Sequence, residues 1–124
     1  MMYTSYRVNG ISNAVTGVVF TPSGKVPRDG WPLISWAHGT VGIADQCAPS
    51  TAGRSQRDIN YLKEWLAAGY AIAATDYEGL GWTFEHPYEN GLSEARSVID
   101  IARAAPQVDP TIGRRWMAVG QSQG

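Results

Sequence analysis

Cysteine and histidine are scarce in this sequence, and long apolar stretches are absent. One cysteine, Cys47, and two histidines occur among the 124 residues. A single cysteine cannot form an internal disulfide. One cysteine and two histidines are too few for a dedicated zinc site, so we expect no metal. No run approaches the roughly 18 consecutive apolar residues of a transmembrane helix, so no membrane span is expected.

An excess of charge of either sign is also lacking. The 10 Lys and Arg residues and 11 Asp and Glu residues give a formal net charge of -1. Nucleic-acid-binding proteins usually carry a basic face, so we expect no nucleic-acid partner. The amino terminus has no basic segment followed by an apolar run, so it does not read as a signal peptide. The apolar content of 44% is normal for a globular core, and the length suits one small domain.

Short apolar runs between glycines and prolines predict strands. The predicted strands cover residues 3–8, 13–20, 32–37, 70–75 and 116–119. The last three runs do not alternate with polar residues, which is typical of strands covered on both faces in a parallel sheet.

Two helical patterns lie between the later runs. The first ends at Gly69, a common helix stop, and Ser55 with Asp58 forms a candidate capping pair at its start. The second is expected over residues 91–105, and we expect Pro106 to end it. Strands that alternate with helices predict an α/β fold, with a mostly parallel sheet and helices on both faces.

In such sheets the reacting groups collect at the carboxyl ends of the strands. The last predicted strand runs directly into Gly120-Gln121-Ser122-Gln123-Gly124, which fits G-x-S-x-G. This is the setting of a nucleophile elbow, whose strained turn exposes the serine hydroxyl above the sheet. Gly120 and Gly124 would avoid collisions with the neighbouring strand and helix, and the Gln123 N–H would point toward a reacting carbonyl oxygen.

A second loop fits the same chemistry. Ester hydrolases need two N–H donors for an oxyanion, and one usually comes from the loop after the third strand. Here that loop begins His38-Gly39-Thr40. Gly39 allows close backbone approach, and the Thr40 N–H is the expected donor. We expect His38 to fix the loop by hydrogen bonding rather than to act as a base.

Serine needs a histidine base and usually an acid, and in hydrolases of this fold both follow the serine in the sequence. Ser122 is the third residue from the end, so neither can follow it here. We therefore interpret the 124 residues as the amino-terminal part of a longer enzyme, inactive by themselves.

Several segments together resemble the secretory lipase family of α/β-hydrolases. They are SWAHGT (35–40), CAPS (47–50), GYAIAATDYEGLG (69–81), HPY (86–88), SVIDIARAA (97–105) and GQSQG (120–124). The resemblance runs from about residue 12 to residue 124, and the combination is far more specific than G-x-S-x-G alone. It implies that residues 1–124 are the amino-terminal part of a single α/β-hydrolase domain, truncated after the elbow strand.

The resemblance also implies an activity. The family hydrolyses carboxylic esters, including small acyl esters and lipids, without a metal or cofactor. By resemblance Ser122 is the nucleophile, the backbone N–H groups of Thr40 and Gln123 form the oxyanion hole, and the triad acid, histidine and lid lie beyond Gly124. The family is typically exported, which implies a secreted or extracytoplasmic location and makes Cys47 a disulfide candidate.

Two other functions stay open. An aminopeptidase or amidase uses the same serine chemistry on the same fold. A non-catalytic binding module would leave its last strand at a sheet edge, which predicts self-association.

Other polar and aromatic residues have weaker claims to a functional role. We expect structural roles for Asp76 and for the loop residue His86, whereas Trp82 and Phe84 are candidates for lining an acyl pocket. Glu78 and Glu85 could be imagined as a glycosidase pair, but nothing fixes their separation.

Overall fold

Five strands form one sheet in the computed structural model, which describes residues 1–124. The strands are β1 (Met2–Tyr6), β2 (Ser12–Phe20), β3 (Trp31–Ala37), β4 (Ala71–Thr75) and β5 (Ile112–Gly120). The helices are α1 (Pro49–Ala52), α2 (Gln56–Ala67) and α3 (Gly91–Val108), and a 3₁₀ turn at Asp45–Cys47 precedes α1. None of these helices combines the length and the apolar character needed to cross a membrane.

The strand order across the sheet is β1-β2-β4-β3-β5. β2 pairs antiparallel with both β1 and β4, whereas β3 pairs parallel with β4 and with β5. Four of the five strands therefore run in one direction, and β2 alone opposes them. The mostly parallel sheet expected from the sequence is confirmed.

Helices cover both faces of the sheet. On one face, Ile101 and Ala105 of α3 pack with Leu33 of β3. On the other, Leu62 of α2 packs with Ile34 of the same strand. Neighbouring side chains of a strand point to opposite faces of the sheet. An apolar run without polar alternation is therefore buried on both faces, as the sequence predicted.

The first helical pattern gives α2 with the expected ends. The Ser55 hydroxyl accepts a hydrogen bond of 3.1 Å from the Asp58 N–H, which satisfies one free donor of the first turn. At the other end Gly69 follows the C-cap residue Ala68 with a φ of +85°, a left-handed conformation that favours glycine.

The expected end of the second helix was wrong. α3 continues through Pro106 to Val108, and the Asp109 N–H still donates to the Ala105 carbonyl at 3.0 Å. Pro106 has no N–H for the Ala102 carbonyl, but this loss does not end the helix, because the residues after it keep the helical backbone and bonding.

Two strand boundaries differ from the expected ones by more than one residue. β1 ends at Tyr6 because the next residues form a turn, closed by a 2.8 Å hydrogen bond from the Gly10 N–H to the Arg7 carbonyl. β5 begins at Ile112 because its pairing with β3 already starts there, opposite Trp31. The outer edge of β5 has no partner strand.

Candidate active site

The chain turns sharply after β5, and Ser122 lies exposed at the turn. Its φ is +57°, a left-handed conformation that costs a non-glycine residue about 1–3 kcal/mol. A Cβ on Gly120 would stand 2.5 Å from the Gly124 backbone, and one on Gly124 would stand 2.1 Å from the Ala37 carbonyl oxygen. A side chain at either position would therefore force the backbone of the turn to shift.

The loop after β3 lies directly beside this turn. The Gln121 N–H donates a 3.1 Å hydrogen bond to the Ala37 carbonyl. A Cβ on buried Gly39 would stand 3.3 Å from the Gln121 carbonyl oxygen, so the two backbones approach closely at this point. Thr40, the next residue, is exposed, and its hydroxyl hydrogen-bonds the Tyr88 hydroxyl at 3.0 Å.

His38 is fully buried beneath the loop. Its Nδ1 lies 2.7 Å from the Gly39 carbonyl oxygen, which can only accept, so Nδ1 carries the proton. Burial lowers the pKa of His38, which keeps the ring neutral. The Tyr77 ring packs against it at 4.4 Å between centroids, and the Tyr77 hydroxyl donates to the His38 carbonyl at 2.7 Å. His38 makes no hydrogen bond to Ser122.

The side chains of Gln123, His86 and Glu94 form a polar cluster beneath the elbow that the sequence did not predict. The Gln123 side-chain nitrogen lies 2.7 Å from His86 Nε2 and 2.9 Å from Glu94 Oε1. His86 and Glu94 are each 8% exposed. The nitrogen His86 Nδ1 in turn contacts the Glu78 carbonyl at 2.7 Å. The HPY segment and α3 thus meet at the residue after the serine, a contact that no local sequence signal indicates.

Asp76 lies at the end of β4 and is fully buried. Its carboxylate accepts hydrogen bonds from the Ser50 N–H at 2.9 Å, from the Ser50 hydroxyl and from the Thr16 hydroxyl at 2.7 Å. These bonds tie α1 to the sheet. The carboxylate of Asp76 makes no hydrogen bond to Ser122 or to either histidine.

The remaining candidates do not converge on Ser122. Glu78 pairs with Arg7 at 3.1 Å and accepts from the Ser93 hydroxyl at 2.5 Å. Arg7 also stands 4.3 Å above the ring of Phe84, which is half exposed. Glu78 and Glu85 both line a cavity of about 370 Å³ next to Arg7.

The described residues form neither a cluster of metal ligands nor a disulfide. No three His, Cys, Asp or Glu side chains lie close enough together to hold a metal ion. Cys47 is a free, half-buried thiol, and it lies against Gly42 in the loop after β3.

The comparisons with known proteins agree with this architecture. No family model matches the sequence. A probable inactive lipase of Mycobacterium tuberculosis is 27% identical over 114 residues, which cover 85% of this chain and 25% of the relative. Among solved structures, the rice cell wall degrading esterase LipA of Xanthomonas oryzae matches with a TM-score of 0.75 and 28% identity, over 99% of this chain and 33% of its own.

A more distant match shows the fold alone. Candida antarctica lipase A in its closed state matches with a TM-score of 0.79 and 21% identity, over 99% of this chain and 30% of its own. The chain thus spans about a third of the length of the solved structures and a quarter of the curated relative. The chain thus has the mostly parallel sheet of the α/β-hydrolase fold, and it is similar to about a third of the chain of known lipases and esterases.

Proposed function

We propose that these residues carry the nucleophile and the oxyanion-binding groups of a serine carboxylic ester hydrolase that acts through an acyl-enzyme. The observation that carries the proposal is the exposed Ser122 in a left-handed turn between two glycines that tolerate no side chain. The loop that holds Thr40 lies beside this turn, as an oxyanion hole built from both segments requires.

The proposed reaction uses these groups in order. Ser122 Oγ attacks the acyl carbonyl carbon, and its proton passes to a general base. The tetrahedral oxyanion accepts hydrogen bonds from the N–H groups of Thr40 and Gln123. Collapse of this intermediate expels the alcohol, which takes up the proton, and leaves an acyl-serine. Water then attacks the acyl-serine and releases the carboxylic acid.

The general base is not among the two histidines of these residues. His38 is buried and hydrogen-bonded to its own loop, and His86 Nε2 already faces the Gln123 amide. We propose that the triad acid and histidine belong to the portion of lipase and esterase chains that this chain does not span. The 124 residues alone are then inactive.

The test is hydrolysis of a p-nitrophenyl ester and labelling by a serine-directed phosphonate, on the full-length protein. We expect wild type to turn over the ester and to be labelled at Ser122, and Ser122→Ala to do neither. Ser23→Ala, at an exposed loop serine, should behave as wild type. Ester hydrolysis that survives in Ser122→Ala would overturn the proposal, and so would Ser122-dependent hydrolysis by residues 1–124 alone.

A non-catalytic role is the second candidate, because one relative is named a probable inactive lipase. A full-length protein that unfolds cooperatively but neither hydrolyses esters nor reacts with the phosphonate would favour it. An aminoacyl p-nitroanilide assayed beside the ester separates an aminopeptidase or amidase from an esterase, since only the leaving group differs.

We also propose a location outside the cytoplasm, with acyl esters or lipids as substrates. The support is the likeness to an esterase that is described as degrading the rice cell wall. Fractionation of the source cells with an antibody to this chain tests the location, and recovery in the cytosol alone would contradict it.

A further inference from the structure

The Gln123 side chain joins three separate segments of the fold at the elbow. Gln123 itself follows β5, His86 lies in the loop after β4, and Glu94 lies in the first turn of α3. The Gln123 nitrogen reaches both partners within 2.9 Å. No other side chain of the elbow makes hydrogen bonds to two different segments, since the Gln121 side chain bonds only exposed Arg57 and the Ser122 side chain makes no hydrogen bond.

The chemistry of the two partners fixes how this amide is oriented. The Glu78 carbonyl can only accept, so His86 Nδ1 donates to it and His86 Nε2 keeps its lone pair. The Glu94 carboxylate is the second acceptor. The two hydrogens of the Gln123 NH₂ group therefore have one acceptor each. A flipped amide would place Oε1 against the carboxylate, so only one orientation is favourable.

We propose that the Gln123 carboxamide, held by His86 and Glu94, is a positioning group that sets the direction of the Gln123 peptide N–H. The inference rests on the proposed function, in which this N–H binds the oxyanion. His86 and Glu94 are positioning residues in this scheme, since they act through Gln123 and touch no substrate.

The backbone strain at Ser122 explains why the hydrogen bonds of the Gln123 side chain are needed. Ser122 holds a φ of +57°, and unfavourable backbone angles persist only where the surroundings determine them several times over. The Gly124 N–H donates to the Gln121 carbonyl at 3.1 Å and closes the turn, but neither the carbonyl nor the N–H in the plane of the peptide between residues 122 and 123 makes a backbone hydrogen bond. The two hydrogen bonds of the Gln123 side-chain nitrogen restrict that plane. Gln123 Oε1 has no hydrogen-bond partner, so the nitrogen alone holds the side chain.

The test compares four variants of the full-length protein with wild type. Gln123→Ala removes both bonds, and Glu94→Ala removes one acceptor. Glu94→Gln keeps an acceptor oxygen and removes only the charge. Gln107→Ala makes the same chemical change as Gln123→Ala at an exposed position on α3 and serves as the matched control.

Phosphonate titration counts the active sites, and kcat per titrated site and KM are then measured with a p-nitrophenyl ester. We expect Gln123→Ala and Glu94→Ala to lower kcat per site about tenfold to a hundredfold with KM nearly unchanged, because a misdirected donor weakens transition-state binding. Glu94→Gln should recover most of the loss. A merely structural role would lower the number of titrated sites and leave kcat per site unchanged, which would overturn the inference.

Hydrogen exchange of the peptide covering residues 120–124, read by mass spectrometry, needs no activity. We expect faster exchange in Gln123→Ala and Glu94→Ala than in wild type or Gln107→Ala. Unchanged exchange would overturn the inference even if the protein is no esterase. If the wild-type protein neither hydrolyses the ester nor is labelled, the proposed function is contradicted, whereas the inference about Gln123 is still tested by hydrogen exchange.

Discussion

Gly39 lies so close to Gln121 that a Cβ on residue 39 would stand 2.2 Å from the Gln121 side-chain oxygen and 3.3 Å from its carbonyl oxygen. The loop after β3 and the turn after β5 are thus in direct contact. The contact holds the two proposed oxyanion donors, which follow Gly39 and Ser122, on the same side of the molecule.

Glycine substitutions should differ in cost according to what the new methyl group meets. Gly120→Ala meets backbone at 2.5 Å and should lower the free energy of unfolding by about 1–3 kcal/mol. Gly39→Ala should cost less, because the closest atom is the end of a flexible side chain. Gly91→Ala meets nothing within 4 Å and should stay within about 0.5 kcal/mol of wild type. Urea denaturation measures all three, and equal costs at positions 120 and 91 would contradict the elbow geometry.

Ser122→Gly should stabilise the protein while removing the nucleophile. Glycine adopts a positive φ without the steric cost that a Cβ brings, so we expect the free energy of unfolding to rise by about 1 kcal/mol. Ser122→Ala loses the same hydroxyl but keeps the Cβ, and it should remain near wild type. A Ser122→Gly variant no more stable than Ser122→Ala would show that the serine is not strained.

Stability should fall at mildly acidic pH because of His38. Burial lowers the pKa of His38 in the folded protein, whereas an unfolded histidine titrates near 6.5. Below that pH the unfolded chain binds a proton that the folded chain does not, so this contribution is present above about pH 6.5 and is lost as the pH falls toward the folded pKa. The slope can reach about 1.4 kcal/mol per pH unit.

His38→Asn isolates this effect. The asparagine amide can still donate to the Gly39 carbonyl but does not titrate. The difference in free energy of unfolding between wild type and variant should therefore narrow from pH 7.5 to pH 5.5. A constant difference across this range would mean that His38 is protonated equally in both states.

The outer edge of β5 should make residues 1–124 associate. The strand pairs only with β3, and Trp116 and Met117 on its two faces are each 44% exposed. Unpaired backbone groups beside apolar side chains favour edge-to-edge contact. Sedimentation velocity should show association that grows with concentration and weakens in Trp116→Lys and Met117→Lys. Val108→Lys, at a more exposed position at the end of α3, is the control, and a monomer at all concentrations would refute the prediction.

Local signals in the sequence located most of the fold. Ser55 and Gly69 each act within one turn of their own helix end, so their roles depend little on the rest of the molecule. The apolar runs located the strands for the same reason. Pro106 misled the prediction because proline usually ends a helix, whereas in the structure the helix continues past it and the Asp109 N–H still bonds the Ala105 carbonyl.

The candidate site was predictable where a motif carries the geometry. G-x-S-x-G located Ser122 because its two glycines are required by backbone contacts within the turn itself. The same motif treats residue 123 as variable, and so it conceals the contacts of Gln123 with His86 and Glu94. Gln123 lies far from His86 and Glu94 in the sequence. The sequence therefore predicted a loop position for His86 but not its contact with Gln123.

The position of β3 between β4 and β5 has a consequence for how the chain folds. β1 and β2 are close in the sequence and pair as a hairpin. β3 pairs only with β4 and β5, whose residues follow much later in the chain. Closing such large loops costs entropy before any pairing repays it, and folding rates fall as contacts become less local. We therefore expect the hairpin to form early and the β3–β5 ladder last, so that the elbow acquires its shape only when folding is nearly finished.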